Sequence, residues 1–431
     1  MFPARNRFLL AAVAAAALVV PARAQQGGDV SVEKALLDIL REKGLIDASE
    51  YDELMALARQ RADANANETV LIEASLQRLA APDVQVRGGT PTKLLFRSPD
   101  GQWSLGLRGE LQARVENLNS DDDAQKDTNF SVPRARLTAE GTAGAPNVKY
   151  KLTIDASTTS KDVDPAVDTS SSVRDAYVDW GFTPQDSFRM GQFKFPFGRE
   201  MLMSTTALDL VDISIAATEF APNYEPGAML QGYLGDQLLE YQLAAANGEG
   251  RGKNNTAGEN IDGLREGARV VWNPLGPVKN EGPAFQTMPD GSTRASLGVA
   301  YMRNHDSTGL NTATVGAETT TRDFEASFYS GPFSLLAELY RRDGEASTGD
   351  ADDTGSTVQA GWFFLPETWE VVARYSDVNY ATKDDAREHT IGLNYYVDKN
   401  NGKWQVDLSE LDNEGDTPDA TRMRLQYQVL F

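Results

Sequence analysis

Cysteine is absent from the 431 residues, which removes disulfides and thiolate metal sites from consideration. Histidine is almost absent: only His305 and His389 occur. His305 stands beside Asp306 and His389 precedes Thr390, and neither belongs to a convergent set of nucleophile, base and acid. No catalytic residue, metal site or cofactor is therefore expected, and the chain is read as no enzyme. After the N-terminus, no apolar run is long enough for a membrane-spanning helix. Positive charge is also scarce, with 41 lysines and arginines against 63 acids and a formal net charge of −22. So acidic a chain is a poor partner for nucleic acid.

What is present begins with an export signal. Arg5 and Arg7, the apolar run 8–20 and Ala22-Arg23-Ala24 have the pattern of a signal peptide over residues 1–24. Its removal takes Arg5, Arg7 and Arg23 with it, so the net charge falls from −22 to −25. An exported chain that is 41% hydrophobic and lacks membrane helices is a soluble periplasmic protein or a closed β-barrel, since only helices and barrels satisfy their backbones in lipid.

Residues 25–101 read as a periplasmic helical segment. Val32, Ala35, Leu36, Ile39 and Leu40 recur at helical spacing, Gly44 is a stop signal, and Asp47 with Glu50 makes a capping box. Leu54, Leu57 and Ala58 continue the second helix, and a third short helix is expected over 70–79, before Pro82. These stripes are too short to form a domain alone. They are expected to pair with copies from neighbouring subunits or to lie against the base of the remaining chain.

From residue 102 onward the period changes to two. Trp103, Leu105, Leu107, Leu111, Ala113 and Val115 alternate with polar residues, and similar segments follow to the C-terminus. Sixteen are counted, an even number, as bacterial outer-membrane barrels have. Their connections fall into two classes. Long polar segments (118–129, 158–172, 196–226, 248–263, 306–319) alternate with tight turns such as 183–186, 235–237 and 331–332, and long loops outside with short turns inside mark such barrels. The connection from Asn273 to Ser292 breaks this rule. All six tryptophans, at 103, 180, 272, 362, 369 and 404, fall at strand ends on the turn side with lipid-facing parity, as an aromatic girdle requires. The last strand ends in Phe431. The expected fold is all-β: a 16-stranded antiparallel transmembrane barrel over 102–431.

The stretch 173–200, VRDAYVDWGFTPQDSFRMGQFKFPFGRE, organises the rest. Ala176, Val178, Trp180 and Phe182 alternate with Asp175, Tyr177, Asp179 and Gly181, then a turn at 183–186 leads into a second strand. About thirty residues then pass before strand-like sequence resumes. A loop that long, placed after a membrane hairpin, is expected to fold inward and narrow the channel. The segment DAYVDW…RMGQFKFPFGRE resembles the core motif of the phosphate-selective porin O/P family of bacterial outer-membrane channels. The resemblance implies a porin for passive diffusion of small hydrophilic solutes and ions, assembled as a homotrimer. Its partners would be outer-membrane lipid, lipopolysaccharide and the solutes themselves. The alternative is a barrel that mainly anchors the helical segment as a periplasmic tether.

Parity places Arg108, Arg114, Arg134, Arg136, Lys149, Lys151, Arg422 and Arg424 on the lumen side of four contiguous strands. Such a basic wall focuses field on passing anions. The loop differs: Glu200, Asp209, Asp212, Glu219 and Glu225 face a single cation, Arg199, with Lys194 at its entry. The phosphate-selective members resembled here carry basic residues through the constriction. An acidic loop opposite a basic wall is expected instead to set up a transverse field, with weak anion preference rather than tight phosphate binding. Acidic groups at 121–123, 350–353, 384–385 and 412–416 are expected on extracellular loops.

Overall fold

The computed structural model describes residues 38–39, 41–44, 47–52, 83–87, 93–122, 126–157, 173–253, 263–278, 292–304, 318–346, 349–415 and 418–431. The expected signal peptide, the third helix, His305 and most of the 273–292 connection lie outside them. The chain divides into two units, Met1–Leu79 and Ala80–Phe431.

Within the first unit, residues 38–39, 41–42 and 48–52 are helical. Gly44 ends the first helical stretch at φ 67°, a left-handed conformation open to glycine. The capping box forms: the Asp47 Oδ1 accepts from the amides of Ser49 and Glu50 at 2.8 Å, and the Asp47 amide donates to Glu50 Oε2 at 3.0 Å.

The second unit is built from strands β1 (Asp83–Arg87), β2 (Lys93–Arg97), β3 (Ser104–Ser120), β4 (Asp127–Thr142), β5 (Val148–Asp155) and β6 (Val173–Gly181). Next come β7 (Ser187–Lys194), helices α1 (Arg199–Leu202) and α2 (Ile215–Phe220), β8 (Tyr224–Leu234), β9 (Leu239–Ala246) and β10 (Arg265–Trp272). Then follow β11 (Thr293–Asn304), β12 (Thr319–Ser330), β13 (Phe333–Ala346) and β14 (Gly349–Leu365). The chain ends with β15 (Trp369–Asn379), β16 (Ala386–Asp398), β17 (Gly402–Asn413) and β18 (Ala420–Leu430). Each strand from β3 to β18 pairs antiparallel with its sequence neighbours, and β18 closes on β3 from Ala420↔Ser120 to Leu430↔Glu110. Sixteen strands therefore form a closed barrel, which leaves no free edge.

Closure strands the first residues of β3, Ser104–Leu107, beyond the end of β18. The hairpin β1–β2 covers them, with Leu94↔Leu107 to Arg97↔Ser104 in register. This corrects the expected extent of the helical segment, because 83–87 and 93–97 are strand. Their short alternation, Val84 and Val86 against Gln85, was a strand signal inside a stretch assigned to helices.

Alternation of burial along β16 and its neighbours sets one face outward. Trp103, Trp180, Trp272, Trp362 and Trp404 are exposed there, as are Val299, Phe324, Leu339 and Ile391. Trp369 and Tyr395 pack with ring centroids 4.7 Å apart, and Trp404 and Tyr427 at 4.5 Å, all at the turn end. His389 also points outward, 5.0 Å from the Tyr375 ring.

Candidate pore and constriction loop

The long connection after β7 lies inside the barrel. Its residues 195–223 bond to inward-facing side chains of β3, β4 and β12–β18, and the segment expected over 196–226 ends where β8 begins at Tyr224. Phe195, Phe197, Met201, Ala216 and Phe220 form an apolar cluster with wall residues Met229, Met302, Tyr340 and Val378. Phe220 stacks on Tyr340 at 5.4 Å. The wall makes room by carrying glycine where the loop approaches: a Cβ on Gly355 would lie 2.3 Å from the Phe220 ring, and one on Gly392 would lie 2.4 Å from Leu210.

Polar contacts then fix the loop. Glu338 on β13 accepts the amides of Arg199 and Glu200 at the start of α1. Lys194 donates to the carbonyls of Met201 and Met203, both at 2.7 Å, at the other end of α1. Ser214 caps α2 through the Ala217 amide and donates to Glu200. Lys403 and Gln405 hold the Leu208 carbonyl at 2.7 and 3.1 Å.

The loop's charges are paired with the wall. Arg199 meets Glu325 at 3.2 Å, Glu200 meets Arg374 at 3.2 Å, and Glu219 meets Arg342 at 2.8 Å. Asp209 accepts from Gln359 at 3.1 Å, and Glu225, at the start of β8, pairs with Arg265. Asp212 is clasped by three guanidiniums: Arg114 at 2.7 Å, Arg424 at 3.0 Å and Arg134 at 3.1 Å. Burial alone would raise the Asp212 carboxyl, but these three cations hold it well below the usual carboxylate range. Asp209 goes the other way, raised well above it by burial and by the neighbouring Glu370 carboxylate, against the pull of Lys403.

These contacts correct the expected transverse field, since acids and cations touch instead of facing each other across a gap. They also split the basic wall. Arg114, Arg134 and Arg424 are buried beneath the loop, and Arg424 is further tied to Asp407 at 2.7 Å. Arg136 is held by Asp155 at 2.9 Å and donates to Thr205 at 2.7 Å, while Arg422 stands 3.6 Å from Glu388. Arg108, Lys149 and Lys151 face a cavity of about 1310 Å³ that ends against loop residues Leu202, Ser204, Thr205 and Thr206. Lys151 lies 3.3 Å from Asp175. Among the described residues, no carboxylate comes within 4.0 Å of Arg108 or Lys149.

Sequence parity missed Arg174. A bulge in β6, between Ala176 and Val173 opposite Leu152 and Ile154, turns both Arg174 and Asp175 inward. Arg174 reaches Asp155 at 3.1 Å. The acidic group at 350–353 is not a loop either: it belongs to β14, and Asp353 is buried against Arg342 at 2.7 Å.

A closed sixteen-stranded barrel with an inward-folded loop, an outward apolar belt and a charged interior defines the porin class of outer-membrane channels. The comparisons make the assignment specific. Residues 105–429 match the model of the phosphate-selective porin O and P family, and the chain belongs to that family. It lies in the bacterial outer membrane and passes small solutes. An uncharacterized protein of Aquifex aeolicus (strain VF5) is 26% identical over 282 residues, covering 60% of this chain and 68% of that one. Among solved structures, the fold is similar to an anion-selective porin from Comamonas acidovorans, with TM-score 0.54 and 14% identity over 76% of this chain and 100% of that one. It is also similar to the outer-membrane channel DcaP of Acinetobacter baumannii, with TM-score 0.53 and 14% identity over 78% and 99% of the two chains.

Proposed function

We propose that this porin prefers small hydrophilic anions weakly, and that they pass along the turn-side half of the basic wall. The observation that carries the reading is the contrast between the two halves. Arg114, Arg134 and Arg424 stand against three carboxylates, Asp212, Asp407 and, 4.0 Å from Arg114, Glu116. Arg108 and Lys149 face the cavity without a close carboxylate among the described residues. A cation in a confined channel with low-dielectric walls acts on passing ions more strongly than charges on distant loops. Salt screens those loops beyond about 8 Å at physiological ionic strength. The family's name and the structurally similar anion-selective porin from Comamonas acidovorans favour the same direction, while the pairing of wall arginines with loop acids leaves few cations for solutes and argues for weak preference over tight phosphate binding.

Purified protein in a planar bilayer under a chloride-salt gradient tests this. Wild type should show a modest anion-selective zero-current potential, and Arg108→Glu with Lys149→Glu should move it toward cation selectivity. A cation-selective wild type that the double change leaves untouched would refute the proposal. A barrel serving only as an anchor would pass no ions at all.

We also propose that residues 1–24 are removed on export, and that 25–101 lie on the periplasmic side and promote a homotrimer. Lipopolysaccharide and outer-membrane lipid would surround that assembly.

A further inference from the structure

We propose that the inner wall beneath the constriction loop holds a calcium ion between Asp323 and Glu325 of β12 and Glu338 of β13. The ion would fasten the base of the loop, a role that does not depend on the pore's selectivity.

The three side chains point inward and are buried: Asp323 is 3% exposed, and Glu325 and Glu338 are 0% exposed. Glu325 stands directly opposite Glu338, and Asp323 stands opposite Tyr340. Like charges placed opposite each other on paired strands repel. Here three carboxylate oxygens, one from each residue, all lie within 4.8 Å of one another. Two of the acids have protein partners. Glu325 binds Arg269 at 2.5 Å and Arg199 at 3.2 Å, and Glu338 accepts the amides of Arg199 and Glu200. Asp323 has no such help: among the described residues, neither of its oxygens meets a hydrogen-bond donor. A buried carboxylate left in that state is strongly unfavourable unless a cation offsets it.

Charge and chemistry select the ion. Arg269 is shared with Glu240 at 3.0 Å, so two guanidiniums stand among four carboxylates and two negative charges remain, which one divalent cation cancels. The residues facing the site from the flanking strands are neutral. On β11 these are Ala300 and Gly298, opposite Asp323 and Glu325, and on β14 Gly355 and Thr357, opposite Tyr340 and Glu338. A chain without cysteine and with two histidines offers soft metals little, but a hard cation needs only oxygen. Oxygens held about 2.4 Å from one ion can stand up to about 4.8 Å apart, so the three fit around a single calcium. Asp323 is free to bind through both oxygens. The Tyr340 hydroxyl, which approaches Gly198 from the wall together with Glu338, offers a further one, and water would complete the set. Calcium accepts so irregular an arrangement, whereas magnesium demands near-octahedral geometry. Glu338 links the ion to the channel, because the same carboxylate receives the first two amides of α1, where the loop turns inward.

Amide hydrogen exchange over residues 198–203 of the purified channel, stripped with a chelator and then returned to calcium, tests the site. Calcium at ten times its dissociation constant should slow exchange there about tenfold. Magnesium at the same concentration controls for ionic screening and should do less. Asp323→Asn keeps the shape and should abolish the calcium response, while Asp352→Asn, at an exposed acid of β14, should keep it. Identical exchange in stripped and calcium-loaded wild type would overturn the proposal and leave a proton as what neutralises Asp323. An equal response to magnesium, or a full calcium response in Asp323→Asn, would overturn it too. The wild-type comparison needs no variant, and Asp323→Ser replaces Asp323→Asn if the latter loses the heat-resistant barrel band.

Discussion

Replacing Asp212 by asparagine should free the middle of the constriction loop without opening the barrel. The carboxylate is 17% exposed and accepts four hydrogen bonds from three guanidiniums. Asparagine keeps the shape but loses the charge and one acceptor. Arg424 keeps Asp407, Arg114 keeps Gln426, and Arg134 keeps Gln112, so none is wholly abandoned. Removing one partner of a buried pair costs about 3–5 kcal/mol, and partial exposure with these surviving contacts brings the expectation to about 2–3 kcal/mol. The strand ladders are untouched, so that cost falls on local opening of 210–213. Amide hydrogen exchange there should speed up by roughly 30- to 150-fold, while exchange in β12–β17 stays unchanged. The uncovered arginines should also move the zero-current potential further toward anions. In wild type, the lowered Asp212 carboxyl means the clasp is fully present above the ordinary carboxylate value of about 3.9. It is lost only as pH falls through the lowered folded value, so the contribution of the Asp212 clasp to loop protection should stay flat from pH 7 to pH 4. Unchanged exchange and an unchanged potential in Asp212→Asn would show that the three contacts do not hold the loop.

Gly355→Ala should displace Phe220 from its place on the wall, because the added Cβ would lie 2.3 Å from the ring. The overpacking costs about 1–3 kcal/mol, visible as faster exchange in α2 with little change in barrel melting. Deleting residues 29–79 should weaken oligomers while the barrel keeps its heat-resistant mobility in detergent, and unchanged oligomer mass would remove the proposed role of the helical segment.

The strands were legible because one buried and one exposed face forces a period of two, and the six tryptophans marked where six of the strands leave the belt. Even the Asp47–Glu50 capping box was readable, since its partners are three residues apart. The loop's seat was not. Asp212 meets arginines 98, 78 and 212 positions away, and no local pattern announces that four separate stretches converge on one carboxylate. Arg174 was hidden by a different cause: one extra residue in β6 reverses parity, so alternation assigns it to lipid while the bulge turns it to Asp155. Asp353 was lost because β13 and β14 extend as a hairpin to Ala346↔Gly349, well beyond the apolar belt that defined their ends.

Charge in this channel has to be counted after pairing, and that reconciles an acidic chain with an anion-preferring pore. The net charge of −22 says little about the lumen, because inward acids and bases neutralise one another in contact. Around the cavity, Arg189 binds Asp179 at 2.7 Å, Lys151 lies beside Asp175, and Glu240 is taken by Arg269 at 3.0 Å. Glu110 stands 3.9 Å from Arg136. What is left facing solutes there is Arg108 and Lys149, together with Lys194, which donates to loop carbonyls, against the Asp186 carboxylate, with Lys399 and Glu367 at the turn-end mouth. The residue of that subtraction is a small positive excess, one or two charges in size. Two unit charges 4 Å apart interact by about 1 kcal/mol in bulk water and about 4 kcal/mol at an effective dielectric of 20. An excess of that size biases ion traffic without trapping an anion, so conduction continues. A row of unpaired arginines through the constriction would do the opposite, and in this chain Asp212 removes three of them from the pore.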